Sequence, residues 1–310
     1  MFEFLRGQMK PTYERHPDRE LLFIRISTLF LVIAPFAGVI WATVYSLNNG
    51  IGVKDLGILA GFYLATAFGV TVGFHRMLTH RSFDTNPVVK AILLIFGTWS
   101  IQGAAIGWAA IHSKHHAKSD DVGDPHSPYW SESGKVGGWR GFFHAHMGWM
   151  LGGIRADPER YAKAQMQDPV IRFISKTAFW WAVLGMLLPF FIGGVSGFIW
   201  GGLVRVFLVH HVTWSVNSIC HIWGSRDYST GKDRSTNNRF VALLSMGEGW
   251  HNNHHAFPRS AYHGLTRWQV DFSAYLIRAL RAVRLISNVY EVPKDVISAR
   301  KSQAINRRAA

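Results

Sequence analysis

Sixteen histidines stand among 310 residues, and most fall in four tight groups. These are His75 and His80; His112, His115 and His116; His210, His211 and His221; and His251, His254 and His255. The pattern H-x-x-H-H occurs twice, at 112–116 and 251–255. On a helix, positions i, i+3 and i+4 share a face, so each pattern aims three imidazoles toward one side. Adjacent residues diverge by about 100° around the axis, so the paired histidines let one segment serve two neighbouring ions. Asn217 and His221 are four apart and share a face too. His75 and His80 are five apart. That spacing puts them on different faces of a regular helix and predicts that they straddle a helix end. This many nitrogen ligands, without thiolate or clustered carboxylate, suit zinc, copper, iron or nickel and leave the element open. Asp120, Asp121, Asp124 and Glu248 lie beside the groups, as candidates to accept the outward N–H of a ligand histidine.

Isolated histidines carry a different expectation, because buried polar groups generally find structural partners. His16 and His263 read as structural, while His126, His144, His146, His210 and His211 divide between packing and support of ligands. The single cysteine, Cys220, excludes an internal disulfide and a thiolate-ligated zinc or iron–sulfur site within one chain. It reads as a small apolar filler. Electrons for redox chemistry must therefore arrive from outside.

The elements that must position these residues are strongly apolar. Residues 28–47, 56–74, 91–111 and 177–204 are free of charge over roughly the 20 residues that cross a bilayer. Residues 206–222 are apolar but carry His210, His211 and His221. The net charge of +14 sits beside these stretches, which points to a lipid surface and away from nucleic acid. Basic residues Arg6, Lys10, Arg15 and Arg19, then Arg76 and Arg81, then the C-terminal tail, mark the cytoplasmic side, and the loop 48–55 with Lys54 the outer side. If 91–111 crossed fully, the histidines at 112–116 would face the opposite compartment from His75 and His80, so it is expected to be interfacial or re-entrant.

The expectation is an all-α integral membrane protein with four transmembrane helices (28–47, 56–74, 177–199 and 202–222). The last two form a hairpin turning near Gly193, Gly194 and Gly197 or Gly201 and Gly202. Residues 1–27 form a cytoplasmic arm. Residues 112–176 and 223–310 form a helical cytoplasmic cap that holds the polyhistidine centre and ends in a basic tail. Trp41, Trp99, Trp180 and Trp181 are expected in interfacial belts.

At its histidine groups the chain resembles the membrane fatty acid desaturases of the stearoyl-CoA (acyl-CoA) Δ9-desaturase type. HRMLTH at 75–80, HSKHH at 112–116 and HNNHH at 251–255 are similar to that family's three histidine boxes in order and spacing, and NSICH at 217–221 to its fourth ligand group. GDPH at 123–126, FFHAHMGW at 142–149 and GEGWHNNHHAFP at 247–258 extend the likeness over roughly residues 60 to 290. The resemblance implies a diiron centre with nine iron ligands: His75, His80, His112, His115, His116, His221, His251, His254 and His255. Asn217 would act through a water. It implies that Gln102, Trp108 and Thr213 line the bend of an acyl channel. The implied reaction uses O2 to introduce a cis double bond, at or near the ninth carbon, into a saturated C16 or C18 chain. Where that family carries Arg-Asp before the second box, Ala110 and Ile111 stand here. The implied substrate is therefore an acyl thioester or an acyl-lipid. Electrons would come from ferredoxin, flavodoxin, or cytochrome b5 with its reductase, attracted to a basic face. The location implied is a bacterial inner membrane, or the endoplasmic reticulum in a eukaryote, with both termini cytoplasmic. Rival readings are a membrane diiron hydroxylase of lipid or hydrocarbon, and a metal transporter or haem/quinol membrane protein. The latter predicts ionisable residues along several spans, whereas 28–47 and 56–74 hold none.

Overall fold

The computed structural model describes residues 13–309, so Arg6 and Lys10 lie outside the described residues. Nearly all regular structure is helical, with only three antiparallel pairs of two-residue strands. Helix starts follow local sequence. Asn86, Asp157 and Asp168 each accept hydrogen bonds from the first-turn N–H groups of a helix whose next residue is proline, combining a side-chain cap with a preset φ.

Among the described residues three helical runs are long and apolar enough to cross a bilayer: Asp18–Asn49, Val53–Thr79 and Ala178–Ile222. The first starts ten residues before the predicted span. Leu22, Phe23 and Ile26 are exposed along it, so its apolar surface continues beneath Arg19 and Arg25. At 32 residues it measures about 48 Å, which exceeds a hydrocarbon core of about 30 Å and carries its polar end past the bilayer.

The third run is not one straight helix. Gly194 takes φ 63° and ψ −147°, a left-handed backbone that favours glycine, and the chain folds back there. A Cβ on Gly197 would lie 2.2 Å from the Pro189 carbonyl oxygen, so the two arms are in direct contact. The stretch 91–111 is likewise divided, into helices Pro87–Thr98 and Ala105–Lys118 with a break between. Twelve residues reach only about 18 Å, too short to cross. The first of these helices lies tightly on Val53–Thr79: a Cβ on Gly69 would meet the Gly97 nitrogen at 2.1 Å. Trp41 and Trp180 are exposed as expected, but Trp99 is buried, stacked on Phe62, because its ring fills the gap above Gly185.

Arg76 departs most from its expected role as a cytoplasmic flank. It is completely buried. Its guanidinium donates to both carboxylate oxygens of Asp271 at 3.0 and 3.1 Å, to Glu248 at 3.1 and 3.2 Å, and to the Ala261 carbonyl at 2.8 Å. Asp271 also accepts from the backbone N–H groups of His263, Gly264 and Ala274. Burial alone would raise the Asp271 pKa, but Arg76 and His263 hold it below the usual carboxylate range. This knot ties the first histidine box to the C-terminal region. Asp271→Ala leaves a buried guanidinium half-paired and is expected to cost about 3–5 kcal/mol, measured by chemical denaturation in detergent; a loss under about 1 kcal/mol would contradict the assignment.

Candidate metal centre

Five histidine nitrogens, from His75, His80, His112, His116 and His254, lie within 4.8 Å of one another, and so do four from His115, His221, His251 and His255. In the five-membered group the Nε2 atoms form a chain: His75 to His254 at 3.0 Å, His254 to His116 at 2.9 Å, His116 to His112 at 3.0 Å and His112 to His80 at 3.0 Å. In the four-membered group His221 and His251 approach to 3.0 Å, and His115 and His255 to 3.4 Å. All nine histidines singled out from the sequence are therefore brought together in two sets.

Helix geometry sorts them. His112 and His116, four apart on the helix Ala105–Lys118, enter the first set, while His115 turns to the second. The helix His251–Ala256 does the reverse: His251 and His255 enter the second set and His254 the first. The first box differs from expectation. Residues Gly69–Thr79 form a wide i→i+5 helix, closed by the bond from His80 N–H to the His75 carbonyl at 3.1 Å. A turn closed by an i→i+5 bond is wider than an α-turn, and it brings the rings of residues 75 and 80 to 4.8 Å. His80 is still the helix-end residue, but the two imidazoles share a face.

Carboxylates hold the outward edges. Nδ1 of His115 lies 2.9 Å from Asp124, that of His221 2.7 Å from Asp120, that of His75 2.5 Å from Glu248, and that of His255 in short contact with Asp233. Asp121 instead pairs with Lys232 at the surface. Desolvation opposes charge on these carboxylates, yet the neighbouring imidazoles hold Asp124, Asp233 and Glu248 below the usual carboxylate range, with Arg76 adding to the effect at Glu248. Burial keeps His112, His116, His251 and His254 well below the ordinary histidine range, with neighbouring imidazoles contributing, and His255 at about 4.

This donor set fits a pair of divalent cations. A ring whose Nδ1–H is taken by a carboxylate, as at His75, His115, His221 and His255, turns Nε2 inward as a lone pair able to bind a cation. Two nitrogens each about 2.1 Å from a shared ion and at right angles are about 3.0 Å apart, the spacing seen here. Around the cluster the buried carboxylates Asp120, Asp124, Asp233, Glu248 and Asp271 face one buried guanidinium, Arg76. That excess of buried acidic groups over basic ones suits bound cations.

Two clefts reach the cluster. An apolar one touches His75, His112 and His251 and is lined also by Trp108, Thr213 and Asn217. Gln102 donates to the Thr213 hydroxyl at 3.1 Å and accepts from the Trp108 indole at 3.2 Å, so the three residues read as a channel bend form one hydrogen-bonded unit. Asn217 lines this cleft beside His251. A polar cleft of about 1240 Å³ touches His80, His116 and His255, with Lys118, Lys232 and Arg300 along it.

Sequence reasoning missed three neighbours. Asp233 stands far from any box, and nothing in its local sequence marks it. Arg76 lies inside the first box but was read only as a surface charge. His263, read as structural, packs against the cluster: its ring lies 4.5 Å from that of His254 and its Nδ1 3.3 Å from Glu248. By contrast, His16 pairs with Glu20 at 3.3 Å, and Cys220 is buried.

Comparison with known proteins agrees with the donor pattern. The fatty acid desaturase family profile matches residues 56–283. The sn-1 stearoyl-lipid 9-desaturase of Anabaena variabilis is 42% identical over 74% of this chain and 80% of its own length. The hex-5-enoyl-[acyl-carrier protein] acetylenase of Moorena producens is 37% identical over 87% of each chain. The acyl-CoA C20 Delta5-desaturase of Anemone leveillei is 38% identical over 76% of this chain and 73% of its own.

Two outcomes test the centre. Asp233→Asn removes the charge beside His255 and is expected to weaken one of two bound ions about 10- to 100-fold, read by metal titration of purified protein. Because burial depresses the folded pKa of His112, His116, His251, His254 and His255, the unfolded chain takes up protons at these positions first as pH falls. Stability of the metal-stripped protein is therefore full above the unfolded value of about 6.5 and declines as pH drops below it. Unfolding free energy that stays flat between pH 7 and 5 would contradict the neutral assignment.

Proposed function

The chain belongs to the fatty acid desaturase family, and on that premise we propose that it is an O2-dependent membrane acyl-lipid desaturase with a diiron centre. It places a cis double bond between carbons 9 and 10 of a saturated C16 or C18 chain. The observation that carries this reading is the meeting of the apolar cleft with the two nitrogen sets: His75, His112 and His251 form its inner wall. A lipid chain in that cleft brings its methylenes beside the cluster.

Each part has its own support. His75, His80, His112, His116 and His254 would hold one iron, and His115, His221, His251 and His255 the other, with Asn217 near enough to act through a water. The bound iron pair would supply the one-electron redox chemistry and O2 activation that side chains lack. The chain's own residues do the positioning. Gln102, Trp108 and Thr213 hold the acyl chain at a bend, so that one methylene pair and no other faces the cluster. Removing two hydrogens releases two electrons. Dioxygen accepts four, with protons, to leave as two waters, so an external carrier supplies the other two. The polar cleft, with Lys118, Lys232 and Arg300, suits the approach of an acidic carrier such as ferredoxin, flavodoxin or cytochrome b5.

An acyl-lipid is favoured over coenzyme A. Ala110 is fully buried in the apolar core and Ile111 packs against it, at the positions where the acyl-CoA type resembled carries a charged pair. Two relatives, from Anabaena variabilis and Synechocystis, are by name stearoyl-lipid 9-desaturases. Four membrane spans with both termini cytoplasmic fit the hairpin at Gly194 and put both clefts at the inner leaflet.

Expression in a host deficient in unsaturated acyl chains tests the proposal. The expected product is an intact polar lipid two hydrogens lighter, with its double bond at carbon 9, and His115→Ala abolishes it. Gain of one oxygen would mark a hydroxylase and overturn the reading.

A further inference from the structure

Arg205 is completely buried within an apolar run, and no carboxylate accepts from it. An ionisable group in such a place is functional until shown otherwise. Its acceptors are carbonyls left without partners. Gly185 should bond to the N–H of residue 189, but that residue is Pro189 and has none; Arg205 Nη2 donates to the Gly185 carbonyl at 2.8 Å. Trp99 closes the helix Pro87–Thr98, whose last carbonyls have no helical partner, and Nη1 donates in short contact to its carbonyl. The Gly201 carbonyl and the Thr66 hydroxyl accept at 2.9 and 3.4 Å.

The Trp99 contact begins a series. Helix Arg205–Ile222 meets the 99–103 loop three times: Arg205 at the Trp99 carbonyl, His210 Nε2 at the Ser100 carbonyl at 2.7 Å, and Thr213 at the Gln102 side chain. The loop would not hold its shape unaided. Ile101 has φ 56°, a left-handed conformation unfavourable for a β-branched residue, and such strain persists only where surroundings over-determine it. The same helix carries Asn217 and His221. Thr213 and His221 are eight residues apart, so the loop is indexed to the cluster by about 12 Å of rigid helix.

We propose that Arg205 and His210 are positioning residues: by pinning the 99–103 loop to the helix that carries His221, they set which carbon pair of the acyl chain lies opposite the metal cluster. They act through Gln102 and touch neither substrate nor metal. The proposal rests on the desaturase reading above and deepens it, since bond position becomes a property of this clamp.

The test uses full-length protein in nanodiscs of a defined saturated C18 lipid, with a reducing carrier, and reads double-bond positional isomers by mass spectrometry together with iron per chain. His210→Ala removes one donor, and Arg205→Lys keeps charge but reaches fewer carbonyls. Each is expected to raise the share of off-position isomers about fivefold, the factor a single net hydrogen bond is worth, at wild-type iron content. His210→Gln, which restores an N–H donor, returns the distribution toward wild type. A purely structural role predicts less product of unchanged position, or scatter only in proportion to lost iron, and either result in both His210→Ala and Arg205→Lys overturns the proposal. Failure of the desaturase reading is separate, because it shows in the wild-type protein alone.

Discussion

Nine imidazoles converge in two sets whose inward nitrogens approach to about 3 Å, and the rest of the structure depends on holding them there. Burial holds His112, His116, His251, His254 and His255 below the ordinary histidine range, so protons do little to relieve the crowding at these rings, whereas bound divalent cations would. The rest of the architecture follows from keeping those nitrogens converged without them. Asp120, Asp124, Asp233 and Glu248 fix the rings from outside, and Arg76 with Asp271 anchors Glu248 in turn. A carboxylate ring that orients neutral donors also deposits negative charge, so the charge that would make an apo core unstable is the charge that favours divalent ions.

Two departures from regular helix do the spatial work. The wide turn at Gly69–Thr79 brings a five-residue spacing onto one face, which an ordinary helix cannot do. The break at 99–104 ends one helix and starts another at an angle, leaving carbonyls that need donors in an apolar setting. Arg205 and His210 supply them. Each irregularity is placed where a polar partner from another element compensates it, which is how membrane proteins tolerate irregular backbone at all.

Much of this was legible in the residues. The i, i+3, i+4 pattern of HSKHH and HNNHH gives the division of each box between two sets directly from the 3.6-residue turn, and the apolar runs give the long helices. The His75–His80 geometry was not legible, because sequence carries no sign of an i→i+5 turn and the regular-helix assumption separates the pair. Arg76 was misread for a related reason: orientation rules count basic residues without regard to burial, and the carboxylates that neutralise it lie 172 and 195 positions away. Asp233 and His263 belong to the centre through tertiary packing alone, so no local spacing announces them.

The two clefts touch disjoint histidines. His75, His112 and His251 face the apolar one, and His80, His116 and His255 the polar one. The cluster is therefore a wall between a greasy compartment and an aqueous one. A reaction that joins a lipid chain to electrons and protons from water needs such a partition, because an apolar substrate site open to bulk water would forfeit both its affinity and the low dielectric that strengthens fixed charges. Lining the apolar side with Trp108, Thr213 and Val216, and the polar side with lysines and an arginine, gives each reactant its own solvent. No described residue lines both clefts, and each cleft is bounded by histidines drawn from the two nitrogen sets.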